Sequence, residues 1–283
     1  MTARVLANYN GKEMYLDEVT ISPLDRGFLF GDAVYDVIRV YQKKPFLFNE
    51  HIERLTTNLD MLKIRCNMEA FQKDLHTTVA NSPEQDGMIY VQITRGTAPR
   101  VHYFPDSSIT PNVLIWVQGF DTTKHEKLWS HGCSVITYPE SRWSHPHIKT
   151  VNLLGNCMAK QEAVEKGSYE AIFVNNDNYI MEASSSNVFG IQNGILLTAP
   201  TKQKILPGIT RQFIFGLAKE MGLETKEHYF TQDEFYTFDE VFITGTTTEV
   251  MPVVKVDDKI IGSGEPGDIT KRIQRLFFEK TRR

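Results

Sequence analysis

AIFVNNDNYIME, residues 171–182, is two apolar runs folded about a polar joint. Ala171–Val174 and the run ending at Glu182 carry strand-forming side chains, and Asn175-Asn176-Asp177 between them is turn chemistry. So short a joint returns the chain antiparallel, because parallel neighbours need a crossover of a dozen residues or more. The same signature recurs. RVLANYNGKEMYL, residues 4–16, carries Asn10-Gly11 between strand-like runs, a strong hairpin signal. VYDVIRVY (34–41) and PFLFN (45–49) read as a further hairpin turning at Gln42-Lys43-Lys44, with Asn49 placed to cap a helix bearing Ile52, Leu55, Leu59 and Leu62 on one face. MIYVQITR (88–95) and NVLIWVQ (112–118) read as strands, as does the segment near 133–138. Helices are expected near 151–166 and over PGITRQFIFGLAKEMG, whose start signal is Pro207-Gly208. Strands outnumber helices and hairpins dominate the connections. The expected class is α+β with mostly antiparallel sheet, not a doubly wound nucleotide-binding fold.

FDTTKHEK (120–127) is polar and lacks periodicity, so a linker is expected at 120–130, between domains 1–119 and 131–283. The 283 residues suffice for two modest domains. A net charge of -4 points to neither a nucleic-acid surface nor a membrane-binding face. The first residues hold no sustained apolar segment of the kind a signal peptide needs, and VLIWV (113–117) is far too short to span a bilayer. Cys66, Cys133 and Cys157 are odd in number and scattered, which suggests free thiols in a cytoplasmic protein.

Chemistry concentrates after HPHIK, residues 145–149. Most lysines are solvated surface charges. Lys149, however, follows a proline turn and precedes an apolar helix, where it can point inward. A partly desolvated lysine loses its proton more easily and becomes an amine nucleophile. A Schiff-base lysine working with pyridoxal 5'-phosphate needs an acid on the ring nitrogen, a phosphate cradle and a group that fixes the substrate. Glu182 in MEASSSNVFG could be the acid, although an acid at a strand end is more often merely solvated. LPGITRQF offers a helix start whose free N–H groups attract anions, and ITGTTTEV (243–250) offers a hydroxyl-rich turn. Each alone is an ordinary turn. His145 and His147 alternate about Pro146, but no acid or cysteine lies near them, so no metal site is expected.

Taken together, DRGFLFGDAVYDVIRVY (25–41), NEHIERL (49–55), RGTAPRVH (95–102), IKTVNLLGN (148–156), MEASSSNVFG (181–190), KILPGITR (204–211) and TGTTTEV (244–250) resemble the class IV, or fold type IV, pyridoxal-phosphate aminotransferases over essentially the whole chain. The likeness is strongest to members that act on D-amino acids. It implies a two-domain α+β enzyme with the cofactor between the domains. It further implies Lys149 as the Schiff-base and proton-shuttling lysine and Glu182 on the ring nitrogen. Arg54, Ile209, Thr210 and Thr246 match phosphate contacts, and Leu206 packs on the ring. Without the resemblance, Arg54 reads as an i,i+4 helix partner of Glu50, and Leu206 as core. Arg100 and His102 alternate in RGTAPRVH and in an extended segment would face one way; the resemblance makes them, with Tyr35, a trap for the substrate α-carboxylate. It implies a homodimer in which Arg100 and His102 serve the neighbouring subunit's site. The expected activity is ping-pong transfer of an amino group between D-alanine, or another D-amino acid, and 2-oxo acids. Aminodeoxychorismate lyase and branched-chain L-aminotransferase activity are the alternatives on the same scaffold.

Overall fold

The computed structural model describes residues 4–202 and 204–282. The chain divides into two compact units: Met1–Asp121 with Ile148–Asn152, and Thr122–His147 with Leu153–Arg283.

The first unit is built on a six-stranded, antiparallel sheet. Its strands are β1 (Leu6–Tyr9), β2 (Lys12–Tyr15), β3 (Ala33–Tyr41), β4 (Lys44–Pro45), β5 (Gly87–Thr94) and β6 (Asn112–Gly119), in the order β2-β1-β6-β5-β3-β4. Asn10 and Gly11 both take positive φ, 53° and 82°, as a two-residue hairpin turn requires. Along β3, Val34, Ile38 and Val40 are buried on one face with Ile89, Val91, Ile93, Ile115 and Val117. That face is covered by α2 (Phe48–Met61) and α3 (Met68–Asn81), through Leu55, Leu59, Phe71 and Leu75. A one-turn helix, α1 (Arg26–Phe30), precedes β3. Asp25 caps it by accepting from the Gly27 and Phe28 amides, and Gly31 ends it in the left-handed region at φ 66°.

The helix after β4 begins earlier than the sequence suggests. Its N-cap is Leu47, in the left-handed region and without a side-chain cap bond, so Asn49 falls inside the first turn. The strand expected over 45–49 shrinks to Lys44–Pro45 because Phe48 already belongs to the helix and packs on the core.

The second unit carries nine strands and five helices among the described residues. In chain order these are α4 (Thr123–His131), β7 (Cys133–Pro139), α5 (Leu154–Glu165), β8 (Glu170–Val174), β9 (Ile180–Ala183), β10 (Asn187–Gln192), β11 (Ile195–Thr198), α6 (Ile209–Glu220), β12 (Thr225–Glu227), α7 (Gln232–Phe235), β13 (Glu240–Gly245), β14 (Glu249–Val256), β15 (Lys259–Ile260) and α8 (Asp268–Thr281). The sheet runs β12-β11-β10-β13-β14-β7-β8-β9, with β15 beside β14. The β8–β9 hairpin is present as read. The β7–β8, β7–β14 and β11–β12 pairings are parallel, which hairpin signals do not reveal. The stretch expected to be an irregular linker contributes most of α4 instead. One residue explains this: Trp129 is buried in the core of this unit and donates its indole N–H to the Thr248 carbonyl at 3.0 Å. Beside it only Leu128 and His125 are half-buried, and the remaining side chains of α4 are exposed, so the segment looks structureless in sequence.

Candidate active site

In the first unit, Ile148–Asn152 lies along the start of β3. The Tyr35 amide donates to the Lys149 carbonyl at 3.0 Å, and Thr150 forms an isolated antiparallel bridge with Val34. Asn152 donates to the Gly31 carbonyl at 3.1 Å. A side chain on Gly31 would collide with Asn152, so the glycine serves both the turn and this contact. The Lys149 ammonium is thereby set 4.4 Å from the Tyr35 ring centroid, and its Nζ lies 3.4 Å from the Tyr35 hydroxyl. Tyr35 also heads a row of rings across the sheet. It stacks on Tyr90 at 5.8 Å, and Tyr90 stacks on Trp116 at 3.9 Å.

Arg100 and His102 come together, but not as alternate residues of a strand. The Val101 amide donates back to the Pro99 carbonyl at 2.9 Å, so the segment turns tightly there. Both side chains gather on Phe30 of α1, with the Arg100 guanidinium 5.5 Å and the His102 ring 5.7 Å from its centroid. Both residues are exposed.

Arg54 is largely buried and donates from Nε and Nη2 to Asp36 at 2.9 and 2.7 Å. Asp36 lies eighteen residues back on β3, a partner that helix spacing to Glu50 does not suggest. His51, one turn earlier on α2, meets Asp36 at 2.8 Å. Burial by itself would raise the Asp36 carboxyl, but Arg54 and His51 outweigh it and hold the group well below the usual carboxylate range.

In the second unit, Glu182 lies in β9 and is buried among donors. Arg142 Nη1 reaches it at 2.5 Å, Asn187 Nδ2 at 3.1 Å and the Leu206 amide at 3.0 Å. Burial drives its carboxyl above the ordinary value, with Arg142 and the Leu206 amide pulling the other way. Arg142 is divided between two acids, since it also grips Glu140 at 2.6 Å. Two of the three serines beyond β9 are fixed by a second buried acid: Glu170 accepts from Ser184 Oγ at 2.5 Å and from Ser185 Oγ at 2.7 Å.

Ile209 and Thr210 open α6 and are buried; Gly208 is the N-cap, with no side-chain cap bond. Gly208 admits no side chain, for a Cβ there would sit 2.1 Å from Asn187 Oδ1. Thr246 lies in the turn between β13 and β14. Two residues before it, Thr244 pairs with Asn187 across the β10–β13 ladder. The hydroxyls of Thr244 and Ser186 are buried with no hydrogen-bond partner. A buried acid, a bare helix start and two unsatisfied hydroxyls suit a ligand with a cationic ring nitrogen and an anionic group. Pyridoxal phosphate has both.

His145 and His147 meet edge to face at 5.8 Å, and Trp143 meets His145 in the same way at 5.2 Å. No group of three or more His, Cys, Asp or Glu residues is arranged to hold a metal ion among the described residues.

The first unit sets a lysine beside a tyrosine ring, and the second holds a buried acid and a helix start without a side-chain cap, groups of the kind a pyridoxal-phosphate enzyme uses. Comparison with known proteins makes that specific: residues 33–256 match the model of the amino-transferase class IV family, and the chain belongs to that family. D-alanine aminotransferase of Bacillus licheniformis is 40% identical over 268 residues, covering 94% of this chain and 93% of the relative. The Staphylococcus epidermidis protein of that name is 36% identical and covers 95% of each chain. Among solved structures, the Escherichia coli branched-chain amino acid aminotransferase superposes with a TM-score of 0.92 at 25% identity, over 99% of this chain and 95% of that one. The T.th. branched-chain enzyme, solved with pyridoxamine 5'-phosphate, gives 0.91 at 26% identity over the same shares.

Asp36, His51, Arg142, Asn187 and Glu170 are not singled out by the sequence. Asp36 alone carries a usable signal, an acid alternating with Val34, Ile38 and Val40 on the buried face of a strand.

Proposed function

We propose that this chain is a pyridoxal-phosphate-dependent transaminase that moves the amino group of D-alanine, or another D-amino acid, to 2-oxo acids in a ping-pong cycle. The observation that carries the stereochemical part is the meeting of Arg100 and His102 on Phe30. Two donors so placed can grip a carboxylate, arginine bidentately. The relatives named for D-alanine, at 36–40% identity, favour this reading over the branched-chain activity of structures at 25–26%.

Bound pyridoxal phosphate supplies an electron-withdrawing ring that stabilises negative charge at the substrate α-carbon. The residues of the chain do the rest. Lys149 Nζ removes the α-proton and holds it for return, with the Tyr35 hydroxyl beside it. Glu182, kept in place by Arg142, Asn187 and Leu206, retains a proton on the ring nitrogen. The amides of Ile209 and Thr210, with Thr246 and Arg54, would hold the phosphate, and Leu206 would pack on the ring. Tyr35, Arg100 and His102 bind the α-carboxylate. Arg100 and His102 are exposed on their loop, which suits delivery to the site of a second copy in a homodimer. The cysteines Cys66, Cys133 and Cys157 are free, as suits a cytoplasmic enzyme; among the described residues no helix is long and apolar enough to cross a membrane.

The test is optical. Holoenzyme should show a visible band that bleaches on adding D-alanine and not L-alanine. Bleaching by L-substrates alone would sink the D-specific assignment, and a band changed by neither would point to the lyase. Lys149→Ala should lower turnover by about 10²–10⁴-fold or more.

A further inference from the structure

The two carboxylate-binding side chains are exposed, yet the strip of backbone between them is not free to move. Arg26, in α1, donates from Nη1 to the Val101 carbonyl at 2.7 Å. Val101 is the residue between Arg100 and His102. The Arg26 side chain is 3% exposed. Its Nε bonds Asp32 at 2.8 Å, and its guanidinium lies 4.7 Å from the Phe30 ring on which Arg100 and His102 converge.

The support continues behind it. Asp32 also takes two bonds from Arg95, at 2.7 and 2.9 Å. Arg95 also donates to the Leu62 and Lys63 carbonyls and lies over Phe104 at 3.7 Å. The loop base is tied by the Arg26 amide, which donates to the Gly96 carbonyl at 3.0 Å. Gly96 sits at φ +104°, where a Cβ would fall 2.2 Å from the Thr110 carbonyl oxygen. The loop is therefore pinned at its base by backbone and at its working tip by one buried guanidinium.

We propose that Arg26 is the positioning residue of the substrate-carboxylate loop: through the Val101 carbonyl and the Phe30 ring it fixes where Arg100 and His102 point. This rests on the carboxylate-binding role of that pair. Arg26 touches neither substrate nor cofactor in this scheme. Its loss costs substrate affinity and stereochemical preference and spares cofactor binding.

The geometry makes the test clean. Removing Arg26 leaves Asp32 doubly bonded to Arg95, so no buried carboxylate is orphaned. Holoenzyme carrying Arg26→Met is compared with Arg26→Lys and with Arg100→Ala, reading KM for D-alanine and 2-oxoglutarate, kcat, the D/L rate ratio and cofactor affinity. The loss of one charge-assisted hydrogen bond at the tip should raise both KM values by about ten- to a hundredfold. The D/L ratio should fall, kcat should change by less than about threefold and cofactor affinity should hold. Arg26→Lys, with one donor in place of a fork, should be intermediate. Unchanged KM in both Arg26 variants, with KM raised in Arg100→Ala, overturns the inference and leaves the carboxylate role standing. Unchanged KM in Arg100→Ala overturns the carboxylate role itself, and the inference with it. A parallel fall in kcat and cofactor affinity assigns Arg26 a general structural role and also overturns it. If Arg26→Met does not fold, Arg26→Lys decides on the same criteria.

Discussion

Asp36 in the first unit and Glu182 in the second are both buried carboxylates bonded to a buried arginine, and they shift in opposite directions. Asp36 is held below the usual carboxylate range; Glu182 is driven above it. The difference is the ratio of basic to acidic groups. Asp36 meets two basic side chains, Arg54 and His51. Glu182 has part of Arg142, which also pairs with Glu140. The first carboxylate is matched without a ligand, whereas the second gains from a cation. The proposed partnership with a ring nitrogen asks for a carboxylate that is fixed in place and only partly matched by positive charge, and Glu182, sharing Arg142 with Glu140, is of that kind.

That contrast predicts unlike costs. Asp36→Asn takes the carboxylate from a buried arginine and histidine and should destabilise the protein by about 3–5 kcal/mol. Chemical unfolding of the cofactor-free protein measures it; a loss under about 1 kcal/mol would mean the cluster is not structural. Glu182→Gln should leave the unfolding midpoint of the same cofactor-free protein unchanged or raised. It should cut kcat/KM by about 10²–10³-fold, the scale of a lost preorganised electrostatic partner. Equal stability losses in the two variants would erase the distinction.

The two clusters are unequally legible in the sequence. Glu182, Lys149 and the α6 start are visible because each lies at a boundary that strand or helix periodicity exposes. Arg142 is invisible. It sits in an irregular stretch after β7, forty residues before Glu182, and only the fold of the second unit brings them to 2.5 Å. The Asp36–Arg54 pair is half visible: the acid sits on a buried strand face, but its partner comes from α2 with a local competitor, Glu50, nearer in sequence. For residues 95–102, strand alternation brings Arg100 and His102 to notice on grounds the fold does not supply. A turn at Pro99–Val101 and a shared phenylalanine are what join Arg100 to His102. The polar look of α4 hides a helix because its single buried anchor, Trp129, lies near its end.

A smaller effect sharpens the comparison further. Arg142→Met removes the cation that opposes burial at Glu182, so the Glu182 carboxyl should rise further. Activity should fall by about tenfold and partly recover at higher pH, where the acid ionises again. Arg142→Lys should lie between, restoring charge without the fork to two carboxylates. A pH-independent loss of the same size in both variants would show that Arg142 only packs against Phe173, which it overlies at 4.3 Å.

The smallest effect is the pH dependence of stability without cofactor, and its sign separates the clusters. Asp36 has a lowered folded-state pKa, so its stabilisation is complete above the ordinary aspartate range, about 4. It is lost as pH falls through the depressed value. Glu182 has a raised one, so the folded state binds its proton more tightly than the unfolded chain does. Stability is therefore withdrawn as pH rises from the ordinary glutamate value, about 4.3, through the raised one. Urea midpoints of wild type, Asp36→Asn and Glu182→Gln across acid to neutral pH read both. The gap between wild type and Asp36→Asn should close only at the acid end. Glu182→Gln should gain on wild type with rising pH and then run parallel to it. Saturating pyridoxal phosphate should shrink that second gap, because a cation delivered to Glu182 supplies what Arg142 divides with Glu140.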